Sequence, residues 1–443
     1  MRKAFRGLFL AIFCALAVPV SAQTPTPAPA SRSLTTAAQA HHAFDPATAT
    51  KAWLATVPAD KRAKSDAYFE GGYWLILWNF VLAAVISIFL LYSGISSRLR
   101  DFAERTTRFR PLQIALYAIG YILIVTVLTF PLDLYSGYFR EHAYGLATQN
   151  FGSWLGDQTK GLIVALIAGT LALMALYAVF RRAPRTWWLW GTAVAVAFMA
   201  FGMLIGPIWI EPLFNTYKPI TDPKISQPIL AMARANEIPV TQVFVVNASR
   251  QSNRVSANVS GIFGTARIAL NDNLLKQCTL PEIRAVMAHE MGHYVLNHAL
   301  KLLLYITVFI FVGFAIVRSL FEAAARRWGA RWGIRGIADP AGLPLLALIF
   351  TTYFFLLTPL SNTATRVTER EADAFGINTA READGAAKVA LKLGTYRKLD
   401  PGPIEEFIFF DHPSGRARIR MAMDWKAANL PPGDAGTLPT VLR

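Results

Sequence analysis

Charge is scarce in this sequence. Asp, Glu, Lys and Arg make up 16% of its 443 residues, where a soluble globular chain carries about 25%, so a single ordinary water-facing domain is excluded. Cysteine is scarcer: Cys14 and Cys278 are the only two. Cys14 falls in a leader-like stretch. If that stretch is removed no intrachain disulfide can form, and Cys278 reads as a packing residue rather than a chemical one. Internal repeats are lacking. The centres of the apolar runs lack acidic and basic residues, which argues against a transporter or channel, whose ion pathways need them. The net charge is +16, yet no basic helix or aromatic base-stacking motif accompanies it. Many Lys and Arg sit in short loops beside apolar runs, so the surplus speaks against nucleic acid as a partner and for a lipid bilayer.

Hydrophobic residues, in contrast, reach 54%. The chain opens with basic Arg2, Lys3 and Arg6, an apolar run Leu8–Val20 and a small-residue exit at Val20-Ser21-Ala22, the pattern of a signal peptide over residues 1–22, with an uncleaved anchor as the alternative. A Pro-, Thr- and Ala-rich tether and an amphipathic segment fill 23–72. A helix needs about 20 apolar residues to cross a bilayer. Tyr73–Tyr92, Pro111–Pro131, Gly161–Phe180 and Trp187–Ile210 meet that need and form a four-helix membrane block over 73–210. Leu302–Leu320 and Ala341–Leu360 add a hairpin of spans at 302–360 that interrupts a second domain, 211–425. The tail 426–443 reads as disordered. Arg98, Arg100, Arg105, Arg108 and Arg110 follow the first span, Arg181, Arg182 and Arg185 the third, and Arg326, Arg327, Arg331 and Arg335 the fifth. Those ends are expected to face the cytoplasm, and 211–301 and 361–443 the other side.

The polar domain reads as helical with a small β-sheet. Val243–Val246 and Ala266–Leu270 look like strands. Thr279–Ala299 looks like a helix with a Thr279/Glu282 capping box. Thr365–Thr379 reads as a further helix, and 385–425 as largely helical around an interruption at Asp400–Ile404. Within the first of these helices lies His289-Glu290-Met291-Gly292-His293. Residues four apart share a helix face, so both imidazoles can reach one ion while Glu290 stands beside them as a base. A catalytic Zn2+, one per chain, needs a third protein ligand. Glu369 and Asp373 are four apart in Thr368-Glu-Arg-Glu-Ala-Asp373. One could bind metal and the other hold a ligand histidine; alternatively the face is solvated and pairs with Arg366 and Arg370. Glu371 would point elsewhere. His298 is too far round the helix from His293 to be an obvious ligand and reads as a surface or supporting residue.

At these residues the chain resembles a family, the type I integral-membrane CAAX prenyl proteases, which are multi-pass zinc metalloendopeptidases. Glu282–His293 looks like their zinc helix, and Thr368–Phe375 like their second signature. Pro212-Leu-Phe-Asn215 and Leu270–Leu275 also match family segments. The resemblance covers roughly residues 50 to 425. It implies that Glu369 is the third ligand and Asp373 its supporting acid. It implies that Asn258 and Val259, in Ser256–Gly261, lie on an edge strand that receives the substrate backbone, with Val259 where the family usually has Ala. His412 and Arg418, in the Asp411-His412-Pro413 segment and just after it, would stabilise the oxyanion of the reaction.

The expected fold is therefore mainly α: a polytopic helical membrane protein with an HExxH peptidase domain. The expected partner is a peptide or protein. The resemblance favours one prenylated at a C-terminal CAAX motif. The leader and the loop charges favour membrane or exported proteins cut for quality control, with no prenyl dependence. An inert binder of hydrophobic chains is the reading from another class, and the intact Glu290 and ligand set argue against it.

Overall fold

In the computed structural model, residues 44–261 and 266–429 are described; the leader, most of the tether and the chain from Leu430 onward lie outside them. Apolar residues recur without a break over runs long enough to cross a bilayer, and the chain answers with helices. After α1 (Pro46–Ala55) come α2 (Ala59–Tyr92), the short α3 (Ile95–Thr106), α4 (Arg110–Leu134), α5 (Phe151–Arg182) and α6 (Trp187–Ile205). Six helical stretches among the described residues are long and apolar enough to span, and no apolar window in them is more than 28% buried. Their side chains point outward instead: Val127 is 70% and Leu356 72% exposed. In water that would be costly; in lipid it costs nothing. The chain is an integral, multi-pass membrane protein.

The sheet is small. Strands β1 (Tyr217–Pro219), β2 (Val243–Val246), β3 (Ala257–Ser260) and β4 (Arg267–Asn271) lie in the order β1-β2-β4-β3. β2 and β4 are parallel, the two outer pairs antiparallel, and Asn258 stands opposite Ala269. β3 is thus an edge. Helices α7 (Pro223–Ala235), α8 (Asp272–Gln277) and α9 (Leu280–Val295) close over the sheet. Ile229, Ile268, Leu270, Met287 and Met291 form the core between them. Beyond come α10 (His298–Trp332), α11 (Leu343–Ala380), α12 (Ala383–Leu393), α13 (Pro403–Phe409) and α14 (Gly415–Asn429). A satellite core of Trp53, Leu54, Ala387, Ile419 and Met423 ties α1 to α12 and α14.

Three expectations change. The helix expected over Thr279–Ala299 is two helices. Asn297 takes a left-handed conformation with φ 55°, which Asn tolerates better than most residues, and the fifth span starts at His298. The separate helix expected at Thr365–Thr379 is the end of α11, which runs unbroken from the sixth span: Pro359 lies inside it and does not end it. At the other end of the domain, α14 continues to Asn429, so residues 426–429 are helical rather than part of a disordered tail.

Candidate metal centre

Helix α9 begins where Glu282 accepts the Thr279 N–H at 2.5 Å, half of a capping box. Lys392 on α12 pairs with the same carboxylate at 2.9 Å. The helix then crosses α11 at very close range. A Cβ on Gly292 would lie 3.2 Å from Ala372 Cα, and one on Gly376 would lie 2.9 Å from His289 N. Two missing side chains, one inside the H-E-x-x-H motif itself, let the backbones approach. That approach brings His289 and His293 against Glu369.

The three form a triangle. His289 Nε2 and His293 Nε2 are 3.1 Å apart. Each is 3.4 Å from a Glu369 oxygen, and all the donor atoms lie within 4.8 Å of one another. Ligands of a tetrahedral Zn2+ at bond lengths of about 2.0–2.1 Å stand roughly 3.3 Å apart, so two imidazoles and one carboxylate at these separations fit such an ion in number, type and spacing. A softer or larger ion would want sulfur or more oxygens.

The far sides of the rings are held. His289 Nδ1–H donates to Asp373 at 2.9 Å. His298 Nε2–H donates to Glu371 at 3.1 Å, and Lys301 grips that carboxylate at 2.6 Å. His298 Nδ1 is thereby left to accept from His293 Nδ1 at 2.9 Å. Both ligand-candidate rings therefore turn Nε2, the atom each would offer a metal, toward Glu369. The turn at Asn297 produces this arrangement by bringing His298 back over His293; on an unbroken helix it would not reach. His298 is 1% exposed, so it is a supporting residue and not a surface one. Arg366 turns away from Glu369 to the Glu406 and Phe410 carbonyls, so the solvated-face alternative does not hold.

Arg418 and His412 close on the cluster from the other side. Arg418 Nη2 donates to Glu369 at 2.9 Å, and its Nε pairs with Asp373 at 3.0 Å. His412 Nε2 is 3.3 Å from Glu369, and its Nδ1 bonds Asp411 at 2.7 Å. Burial pushes Glu290 up to about 7. His293, buried and beside His289, is held down at about 4. Burial works to lower His289 too, but the bond to Asp373 and the contact with Glu369 overcome it and carry it to about 10.

Glu290 and the cluster face a cavity of about 320 Å3 whose other wall is Val255, Ser256 and Ala257, the approach to β3. Asn258 and Val259 follow on β3, outside that wall. Asn258 Oδ1 is buried and accepts no hydrogen bond within the described residues. Sequence reasoning missed Arg397, which lines the same cavity; an arginine inside a helix-to-loop stretch gives no signal on its own.

A family model for peptidase family M48 matches residues 219–426, and one for the CAAX prenyl protease N-terminal region, five membrane helices, matches 40–216. The chain is 33% identical over 336 residues to an uncharacterized metalloprotease, YhfN, of Bacillus subtilis, covering 75% of this chain and 78% of the relative. It is 28% identical to a CAAX prenyl protease 1 homolog of Oryza sativa subsp. japonica, over 66% of this chain and 69% of that one. It is 26% identical to CAAX prenyl protease 1 of Saccharomyces cerevisiae, over 68% and 69%. The crystal structure of S. mikatae Ste24p shares the fold, with a TM-score of 0.70 at 20% identity over 85% of this chain and 96% of that one.

Proposed function

This chain belongs to peptidase family M48 and is a membrane metalloprotease of the CAAX prenyl protease kind, and we propose that it is a zinc metalloendopeptidase holding one Zn2+ through His289, His293 and Glu369. The observation that carries this reading is the triangle of two Nε2 atoms and one carboxylate with edges of 3.1, 3.4 and 3.4 Å. When bound, the metal supplies a Lewis acid that polarises the scissile carbonyl and makes water a better nucleophile.

The protein's own groups do the rest. Glu290, raised toward neutrality by burial, accepts the proton of the attacking water and passes it to the leaving amine. Asp373 fixes the His289 ring. His412 and Arg418 line the cavity. The His412 ring and the guanidinium N–H groups that Glu369 and Asp373 do not use stabilise the oxyanion. The substrate joins the sheet as an extended strand along the open edge of β3, entering past Val255–Ala257 and continuing along Asn258 and Val259.

Two substrate readings follow. The relatives named CAAX prenyl protease 1 favour a prenylated C-terminal CAAX peptide. The arginine-rich span ends favour the other: they argue for a metal on the non-cytoplasmic side, where membrane or exported proteins would be cut without regard to prenylation. Matched peptides differing only in a farnesyl group on the CAAX cysteine test both, with Glu290→Gln as control and mass spectrometry of the products. Cleavage of the farnesyl peptide alone supports CAAX processing. Equal cleavage supports the broader role. Failure of the wild type to cut either peptide removes both of these substrates.

A further inference from the structure

At the end of α10 and α11 away from the metal cluster, four chain segments meet: α3, the start of α4, the end of α5, and the 333–340 turn between the hairpin helices. They enclose a cavity of about 390 Å3. Four arginines and two carboxylates line it. Arg100 pairs with Asp339 at 2.7 Å, and Arg335 pairs with Glu104 at 2.8 Å. These pairs neutralise each other. Arg110 and Arg181 remain, and neither has a carboxylate partner among the described residues.

Their placement works against the protein alone. Arg110 is the first residue of the 25-residue helix α4, whose N-terminus has no side-chain cap. A cation there opposes the helix dipole, whereas an anion would be favoured. Arg181 stands half-buried in the same wall, so two like charges line one cavity. Guanidinium groups in such a pair suit a phosphate, which accepts several N–H bonds at once.

Apart from Gln113, the remaining walls are mostly apolar, with Ile114, Phe180, Pro184 and Ile337 the largest side chains. Next to Arg110, Phe109 is 58% and Leu112 52% exposed, the condition of side chains that meet lipid. The cavity thus lies where spans α4 and α5 leave the apolar layer, with charge at one side and hydrocarbon at the other. We propose that it seats the phosphate of an anionic phospholipid headgroup, with Arg110 and Arg181 as the principal contacts. Basic pockets between span ends bind anionic headgroups by this chemistry. The inference does not depend on the substrate, the metal or the direction in which the catalytic end faces.

The full-length protein in detergent, challenged with equal amounts of phosphatidylglycerol and phosphatidylcholine and read by native mass spectrometry, tests it. The wild type is expected to retain phosphatidylglycerol preferentially. The double variant Arg110→Gln/Arg181→Gln is expected to retain it roughly tenfold to thirtyfold less. Arg182→Gln, one residue outside the cavity wall, is expected to behave as the wild type. Equal retention by the double variant overturns the proposal, as does an equal loss in Arg182→Gln, which would mean diffuse charge rather than a site. If the double variant melts abnormally, the single Arg110→Gln at an exposed position decides, with a loss of several-fold expected and no loss overturning. Inorganic phosphate at millimolar concentration forms the last arm. If it displaces the lipid from the wild type, the cavity is a free-phosphate site and the lipid assignment falls; if it does not, the assignment stands.

Discussion

Helices α10 and α11 join two charged ends of opposite character. At one end, the cavity wall holds Glu290, Glu369, Asp373 and Glu382 against Arg397 and Arg418. At the other, it holds Arg100, Arg110, Arg181 and Arg335 against Glu104 and Asp339. Both ends contain well-made ion pairs, and pairing alone does not distinguish them. The surplus does. Excess carboxylate with imidazole gathers around a place for a cation, and excess guanidinium gathers around a place for an anion. A buried ion pair contributes little net stability, so the unmatched charges are the better guide to what each end binds.

The sharpest way to break this contrast is at Glu290. Glu290→Gln keeps the shape and the candidate ligands, and should lower kcat/KM by about a thousandfold or more while metal content stays at one per chain. Retained activity in a purified sample would remove Glu290 as the base. Next in size is the opposite end. Asp339 accepts from Arg100 and caps the turn before α11. Asp339→Ala takes the buried one of Arg100's two carboxylate partners and leaves Asp101 at 2.7 Å, and should cost about 1–3 kcal/mol in denaturant unfolding without changing metal affinity. A matching loss of metal would show that the two ends are not independent.

A smaller effect is expected from Asp373→Asn, which keeps the packing but weakens the grip on His289. Metal affinity should fall about 10- to 100-fold, measured with a chelator buffer. An unchanged affinity would mean that the contact with Glu369 is enough to hold the ring in place. The least is a matter of pH. Free of metal, His289 sits near 10 and His293 near 4, so around neutrality His289 carries a proton that the ion must displace and His293 does not. Affinity should therefore rise with pH, by about tenfold per unit, and one proton should be released per ion. A slope of two would show that both rings are protonated and that His293 has been misplaced.

Much of this was legible in the residues. The i, i+4 spacing of His289 and His293 survives because α9 is a regular helix, and the apolar runs survive because a span admits no other backbone. Glu369 was half legible. Its spacing from Asp373 marks a shared face, but only the approach of α9 across Gly292 and Gly376 selects which carboxylate faces both Nε2 atoms. Less could be read where one backbone torsion redirects the chain. Asn297 looks like any polar residue near a helix end, yet its left-handed φ turns His298 from a distant neighbour into the partner of His293. Continuity was hidden for a similar reason. Pro359 and the polar Ser361-Asn362-Thr363 look like a boundary, but they interrupt nothing in α11, because a proline inside a packed helix can be carried by its neighbours.

That continuity has a mechanical consequence. One rod runs from the membrane to the metal cluster, and Glu369 lies nine residues beyond Leu360, the end of the apolar run, or roughly 14 Å along the axis. Helix α9 is locked onto the same rod at Gly376. If the bilayer thins or thickens, α11 tilts and the cutting site travels with it as a unit, keeping its shape but changing its height. The rod thereby couples the height of the cutting site to the thickness of the membrane around it.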